Sequence, residues 1–326
     1  METNSAGVVR RSQAIADGWT DAELRGRVRV GDFTRVRRGG YTYGINIDDL
    51  VPEARHRLAV TLAHPTLSAG VLSHVSAAAM WDLPLTGADL RRVHVSLPKT
   101  TRTGRIGPER HDHIAELAPG DVAEIEGIPV TTVARTLVDL ARSGPTSTAV
   151  VAADAALERG LVMPASLRTA LDSAKGWPGV NRARRALALA DGRSESPGES
   201  LTRLALRAVA PMELQVDIAD DVSRFVGRVD LSIEEAALLI EFDGRQKYTS
   251  HRHPGQSVDD AVLAEKRRED QLRALGYGVV RVVWGDLRTP AAVADLVRRA
   301  VVRGRASRER HGAPRGGYRP RPPLTL

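Results

Sequence analysis

Three carboxylates stand out of otherwise apolar runs in the stretch Phe225-Val-Gly-Arg-Val-Asp-Leu-Ser-Ile-Glu-Glu-Ala-Ala-Leu-Leu-Ile-Glu-Phe-Asp-Gly244: Asp230, Glu241 and Asp243. A carboxylate inside a buried strand is costly unless it is paired or holds a cation. Successive strand residues point to opposite faces, so Glu241 and Asp243 are expected on one face and Phe242 on the other. If the two strands pair through a turn near Glu234 and Glu235, Asp230 comes close to both acids. Three hard oxygen ligands on one face suit Mg²⁺ (or Mn²⁺), and such a metal is the usual equipment for cutting phosphodiesters. The competing reading is that Asp-x10-Glu-x-Asp is a short string and that strand ends often carry solvated acids.

A helix predicted over 258–275 adds a separate clue. Its spacing places Ala261, Ala264, Leu272 and Leu275 on one side, with Arg268 in the middle of that side and Glu265 at its edge. A charge on a packed face needs a partner, and the strand carboxylates are the obvious candidates, although a purely structural Arg–Glu pair fits equally well. Lys247, in the polar loop after Asp243, is within reach of a phosphate bound there. The elements that must position these groups follow from pattern. Asp191 to Pro197 is a linker by composition. A helix is expected over 197–210 with Leu201, Leu204, Ala205 and Ala208 on one face and Glu199 near its start. Strands are expected near 213–218, 225–233 and 236–243, then the 258–275 helix, a buried strand 277–284 and a last helix from about 290 to 302. This order, α-β-β-β-α-β-α, predicts a mixed sheet flanked by helices.

Ser196-Pro-Gly-Glu-Ser200, Gly227-Arg-Val-Asp230, Leu239-Ile-Glu-Phe-Asp-Gly-Arg-Gln-Lys-Tyr248, and then Arg268, Leu272, Gly276 and Val280-Arg281 resemble a very-short-patch-repair-like endonuclease domain of the PD-(D/E)XK nuclease superfamily. The resemblance covers roughly residues 194–300. It implies a restriction-endonuclease-like fold in which Asp230 and Glu241 bind the metal, with Glu199 and Asp243 nearby. The chain departs from the pattern at one position: the superfamily usually has Lys two residues after the strand Glu, and here that residue is Asp243. Lys247, Lys266 or Arg268 would have to supply the basic group.

The front of the chain carries a different chemistry. Arg25, Arg27, Arg29, Arg35, Arg37 and Arg38 face only Asp32 between them, a local cluster that suits phosphate. A short helix around Ser12 to Ala16 and a second one capped by Thr20 lead into a basic hairpin turning at Gly39-Gly40. Two short helices and a basic hairpin describe a small winged helix over 1–46, with the second helix in the major groove and the wing arginines on phosphates. The alternative is a basic ribbon that merely packs on the next block. That block, 50–190, reads as helices at 53–61, 73–81, 131–141, 146–159, 163–173 and 179–189 with a strand at 93–97. His111-Asp-His113 offers two possible metal ligands, but alternate histidines in a polar loop are expected to be solvated. Phe33-Thr-Arg-Val-Arg-Arg-Gly-Gly-Tyr41, Leu72-Ser-His-Val-Ser-Ala-Ala-Ala-Met-Trp-Asp-Leu-Pro84 and Pro129-Val-Thr-Thr-Val-Ala-Arg-Thr-Leu-Val-Asp-Leu140 resemble the abortive-infection (AbiEi-type) antitoxin family. That resemblance implies sequence-specific DNA binding, transcriptional autoregulation and a toxin partner protein, and no chemistry in the middle block.

The 326 residues, 42% of them hydrophobic, suffice for two or three domains, each with its own core. The absence of cysteine excludes disulfides, thiolate-zinc ribbons and Cys nucleophiles, and fits a reducing cytoplasm. No apolar run approaches the roughly 18 residues of a membrane span, and no signal-like segment opens the chain. Residues 303–326 hold seven Arg and one Glu, a surplus of six of the seven net positive charges, and their Gly and Pro content predicts a disordered basic tail. The expected organisation is an α/β (α+β) multidomain chain: a winged helix (1–46), an AbiEi-like α/β scaffold (50–190), an αβββαβ nuclease-like domain (194–302) and the tail (303–326). The expected function is DNA binding joined to Mg²⁺-dependent phosphodiester hydrolysis. The alternative is a non-catalytic DNA-binding regulator, or a type IV antitoxin-like protein, with a degenerate nuclease fold.

Overall fold

A computed structural model describes residues 7–63, 70–100, 104–244 and 258–326, without the side chains of 258–262. It is a mixed α/β chain with eleven α-helices and three sheets among the described residues. Two compact units divide it: one holds 1–152 and 161–187, the other 153–160 and 188–326. The first sequence block and most of the second therefore lie in a single unit, with 153–160 and 188–190 in the other.

In the first unit, β1 (Val8–Arg10), α1 (Arg11–Ala16), α2 (Asp21–Arg29), β2 (Phe33–Arg37) and β3 (Gly40–Tyr43) build a three-stranded antiparallel sheet in the order β1-β3-β2. Thr20 caps α2: its hydroxyl accepts the Glu23 N–H at 3.2 Å, and the Glu23 carboxylate accepts the Thr20 N–H at 2.7 Å. Val9, Ala14, Leu24 and Phe33 form the core beneath, with the Trp19 ring stacked on Phe33 at 5.8 Å. The hairpin turns at Arg38-Gly39, where Gly39 takes φ +71°, one residue earlier than its Gly-Gly pair suggests. Behind it, α3 (Pro52–Ala63), β4 (Val71–Leu72), α4 (His74–Met80), β5 (Val93–Leu97), β6 (Arg110–Ile114), β7 (Val122–Ile125) and β8 (Ile128–Thr131) give a mixed sheet ordered β6-β5-β4-β8-β7. The helices α5 (Val133–Ser143), α7 (Pro164–Ser173) and α8 (Val180–Leu187) complete the unit, and α6 (Thr146–Glu158) precedes α7 in the chain. His111 and His113 are thus not in a solvated loop. They lie on β6, which pairs parallel to β5 with His94 opposite His111 and Ser96 opposite His113.

The second unit follows the order α9 (Pro197–Leu206), β9 (Glu213–Ala219), β10 (Phe225–Ile233), β11 (Leu238–Asp243), α10 (Val258–Ala274), β12 (Gly278–Val283), α11 (Pro290–His311) and β13 (Gly317–Pro320). Its sheet is ordered β12-β11-β10-β9-β13, and only β11 and β12 run parallel, with α10 as the crossover between them. A tight turn at Glu234–Ala236 joins β10 to β11 and closes with Ala237 in the left-handed region. One face buries Leu231, Ile233, Leu238, Ile240 and Val282 against Leu206, Val293, Val297 and Val301. The other buries Val216, Ile218 and Leu239 against Leu272 and Tyr277. Of the side predicted for α10, Leu272 is fully buried and Leu275 half-buried, whereas Ala264 is exposed. Among the described side chains of α10, Leu263 and Ala264 are exposed and Glu265 is half-buried.

The tail is not a disordered arm. α11 continues to His311, where Arg305 pairs with Glu235, and β13 then adds to the free edge of β9. Tyr318 packs on the Leu239–Leu272 core, and Thr325 bridges Asp191. Composition misjudges this segment because an edge strand needs only backbone groups and one or two anchors, while its arginines stay in solvent.

Candidate functional site

The site lies at the C-terminal end of β11, the end at which open α/β sheets usually receive ligands. The β10–β11 ladder runs from Ile233 opposite Leu238 to Leu231 opposite Ile240. At the next step a side chain replaces the backbone: the Asp230 carboxylate accepts the Phe242 N–H at 2.7 Å. The flanking pairs Val229–Val216 and Leu231–Leu214 place Gln215 of β9 beside Asp230. Gln215 is buried at φ +50°, a strained backbone for a residue with a side chain, and its amide donates to Glu199 at 2.9 Å. Glu199 is held at the start of α9, where it also accepts from the Ser196 hydroxyl at 2.7 Å and the Glu195 N–H at 2.9 Å. Gly198 permits this approach of α9, since a Cβ there would lie 2.0 Å from the Phe242 ring.

On the α10 side, Arg268 donates to Glu241 at 2.6 Å and to Glu265 at 2.8 Å. Gly227 leaves room for it, because a Cβ there would meet the Arg268 side chain at 3.0 Å. Arg281 stands opposite Glu241 on β12, 3.5 Å from it, and bonds Glu265 and Glu269 at 2.7 and 2.9 Å. Glu241 is buried and Asp243 half-buried.

Electrostatics separate the acids. The Asp230 carboxyl is pushed up to about 7, first by burial and then by the charges of Glu199 and Glu241, against the pull of the Phe242 N–H and Arg268. Burial also raises Glu199, opposed by its bonds from Ser196, the Glu195 N–H and Gln215. Burial works against the Arg268 charge, and the bonds to Glu265 and Glu241 outweigh it. Asp230 thus feels the charges of both Glu199 and Glu241, with Arg268 at the margin. A larger cavity of about 670 Å³, lined by Arg273, Arg303, Arg308 and Arg315, opens at the other end of β11, around Leu238 and Gly278. It holds none of these acids.

Of the residues singled out in the sequence, Asp230, Glu241, Glu199 and Arg268 converge. Lys266 is exposed on α10, and Lys247 lies outside the described residues. In the first unit, Arg25, Arg29, Arg35 and Arg38 are exposed along α2 and the hairpin. Arg37 is turned inward, donating to Glu109 at 2.9 Å and to the Ala59 carbonyl at 3.3 Å. Arg27 is engaged by Asp32 and lies over the Trp19 ring.

No family model matches the sequence. The chain is similar to two Mycobacterium tuberculosis proteins, "Uncharacterized protein MT2308" of strain CDC 1551 / Oshkosh and "Uncharacterized protein Rv2248" of strain ATCC 25618 / H37Rv. Each is 29% identical over 184 residues, 56% of this chain. The match spans 65% of the length of each relative, a little under two thirds.

Sequence reasoning assigned no role to Gln215, Arg281 or Glu269. Gln215 sits in an ordinary strand run and is noticed only through its backbone angle. Arg281 is legible in retrospect as the one charge in Gly278-Val-Val-Arg-Val-Val283, the same signal that marked Asp230.

Proposed function

We propose that the second unit is a metal-dependent nuclease-like domain acting on DNA phosphodiesters, carried on a chain whose first unit binds DNA. The observation that carries this reading is the convergence of Asp230, Glu241 and Glu199 at the end of β11, with Asp230 raised to about 7 by burial and by its acidic neighbours. The αβββαβ order around them supports a restriction-endonuclease-like fold. Asp230 and Glu241 would hold Mg²⁺ or Mn²⁺, which when bound lowers the pKa of a water and neutralises charge on the phosphate. Glu199, fixed by Ser196, the Glu195 N–H and Gln215, presents a positioned oxygen beside it. Arg268 offers a guanidinium to the scissile phosphate once it leaves Glu241. Arg25, Arg29, Arg35 and Arg38 of a winged-helix-like region would contact the DNA backbone. A cytoplasmic location belongs to the same reading.

One observation favours the alternative, a DNA-binding regulator or AbiEi-like antitoxin with a degenerate nuclease fold. Glu241 is already neutralised by Arg268 and Arg281, and Asp243 stands where the superfamily usually has Lys. Cleavage of supercoiled plasmid and short mismatched duplexes with Mg²⁺ or Mn²⁺ decides between them. The nuclease reading expects metal-dependent cutting that Asp230→Asn and Glu241→Gln each reduce by at least two orders of magnitude while the protein stays folded. Wild-type protein that binds DNA but never cuts, or an Asp230→Asn protein that cuts as well as the parent, would overturn it.

A further inference from the structure

His74, His94 and His113 come from three separate elements of the first unit: the first residue of α4, the second residue of β5 and the fourth residue of β6. One ring nitrogen from each lies within 4.8 Å of the others. The closest pair, His94 Nδ1 and His113 Nε2, is 3.0 Å apart. The His74 ring is stacked on His113 at 3.7 Å, and the His111 ring also stacks on His113, at 4.0 Å. His74 is buried and the others are half-buried.

A neighbouring histidine shows what a purely structural role looks like. His56 is buried, and both its ring nitrogens are satisfied, one by the Leu90 carbonyl at 2.8 Å and one by the Ser76 hydroxyl at 2.9 Å. The triad is built otherwise. Among the described residues no carboxylate bonds any of its nitrogens, and the ring nitrogens of His94 and His113 hydrogen-bond only to each other. His74 has a single side-chain partner, Ser73 Oγ at 3.0 Å on Nδ1, which orients the ring and leaves Nε2 open. Its backbone stands at φ +52°, a conformation costing about 1–3 kcal/mol for a residue with a Cβ.

We propose that His74, His94 and His113 form a binding site for a borderline transition-metal ion such as Zn²⁺, with His111 or a water in the fourth position. Imidazole suits Zn²⁺, Co²⁺, Ni²⁺ and Cu²⁺, and not the hard Mg²⁺ expected at the carboxylates. Two nitrogens bound tetrahedrally at about 2.0–2.1 Å from zinc stand roughly 3.3 Å apart, against 3.0 Å for the His94–His113 pair, and closing the set takes the His74 ring off its stack on His113. A metal takes neutral imidazole, and the three rings lie where burial disfavours a charged ring, His74 buried and His94 and His113 half-buried. The Ser73–His74 bond is the outer contact expected behind a ligating histidine. The nearby Arg135 and Arg142 do not oppose a cation at full strength, because Asp139 bonds both at 2.9 Å and Asp121 also bonds Arg135.

The test is calorimetric titration of chelator-treated full-length protein with Zn²⁺, beside His74→Asn, His113→Ala and His311→Ala. Asn tolerates the left-handed backbone at 74, so that variant removes the ligand with the least disturbance. His311 is exposed on α11 and serves as the control. Wild type and His311→Ala should take up one equivalent of Zn²⁺, with affinity reduced at least a hundredfold in the other two. Co²⁺ should give the intense visible absorption of a tetrahedral site, lost in His74→Asn. Absence of Zn²⁺ uptake by wild type, or uptake unchanged in His74→Asn, overturns the site. A Co²⁺ spectrum of weak octahedral type does so as well, independently of whether any variant folds.

Discussion

Asp230 concentrates the physics of the carboxylate site in one titration. Its carboxyl is raised from an ordinary 3.8 to about 7, so the folded protein binds that proton more tightly than the unfolded chain does. The stabilising contribution is complete below about 4 and is lost as pH rises through 7. Each tenfold gain in proton affinity is worth about 1.4 kcal/mol, so Asp230→Asn should raise stability by roughly 2–4 kcal/mol at pH 8 and by little at pH 4.5. Urea unfolding at the two pH values checks this, and equal effects at both would show that the proton is not the cause. Arg268 behaves in the opposite sense. Removing it leaves Glu241 buried with Arg281, at 3.5 Å, as its one cation partner among the described residues, so Arg268→Ala should cost about 2–4 kcal/mol in the same assay. These residues were legible because each is a lone charge on an apolar strand or helix face. The histidine triad was not: His74, His94 and His113 are unremarkable singly, and only strand pairing and the α4 turn unite them. His111-Asp-His113 drew notice as a pair, but a polar flank hid the strand that carries it.

At the scale of elements, most helices and strands could be read from periodicity, since each has one packed face. β10 occupies the predicted range, and β11, β12 and α10 differ from theirs by at most two residues at either end. Two lessons come from glycines. α11 runs past its predicted end at 302 to His311 and through Gly304, where a Cβ would come 2.1 Å from the Ala236 carbonyl. Gly198 likewise marks close packing of α9 on the Phe242 ring rather than a break. Gly198→Ala should destabilise by about 1–3 kcal/mol through overpacking. Gly285→Ala, where a Cβ meets nothing within 4 Å, should stay within about 0.5 kcal/mol of wild type. Thermal melting of the two variants side by side measures the difference, and equal losses would refute the contact as its origin. β13 escaped prediction because its pairing with β9 is a backbone contact between segments about a hundred residues apart, with no periodicity of its own.

Over the whole molecule, the two units should answer acid in opposite directions. In the first, buried His56 and half-buried His94 and His113 are depressed to between about 3 and 4, chiefly by burial. Their contribution is complete above the ordinary 6.5 and is lost as pH falls through those values. In the second, Asp230 gains stability over the same interval, and Glu199 and Asp154 are raised in the same sense by burial. Hydrogen exchange at pH 7.5 and 5 should show protection falling in β5, β6 and α4 relative to β10 and β11. A uniform change across both units would contradict the assignment. The described helices include none long and apolar enough to cross a membrane.

The seating of β13 against β9 also sets an order of events during synthesis. Residues 1–187 contain almost everything the first unit needs, so it can fold while translation continues. The second unit cannot: its outer strand exists only after residue 320 is made, and Thr325 bridges Asp191 later still. Until then β9 waits with an open edge beside the half-built carboxylate site. Completion of the carboxylate-bearing sheet thus waits on residues made about a hundred positions after β9, by which time the first unit is free to fold.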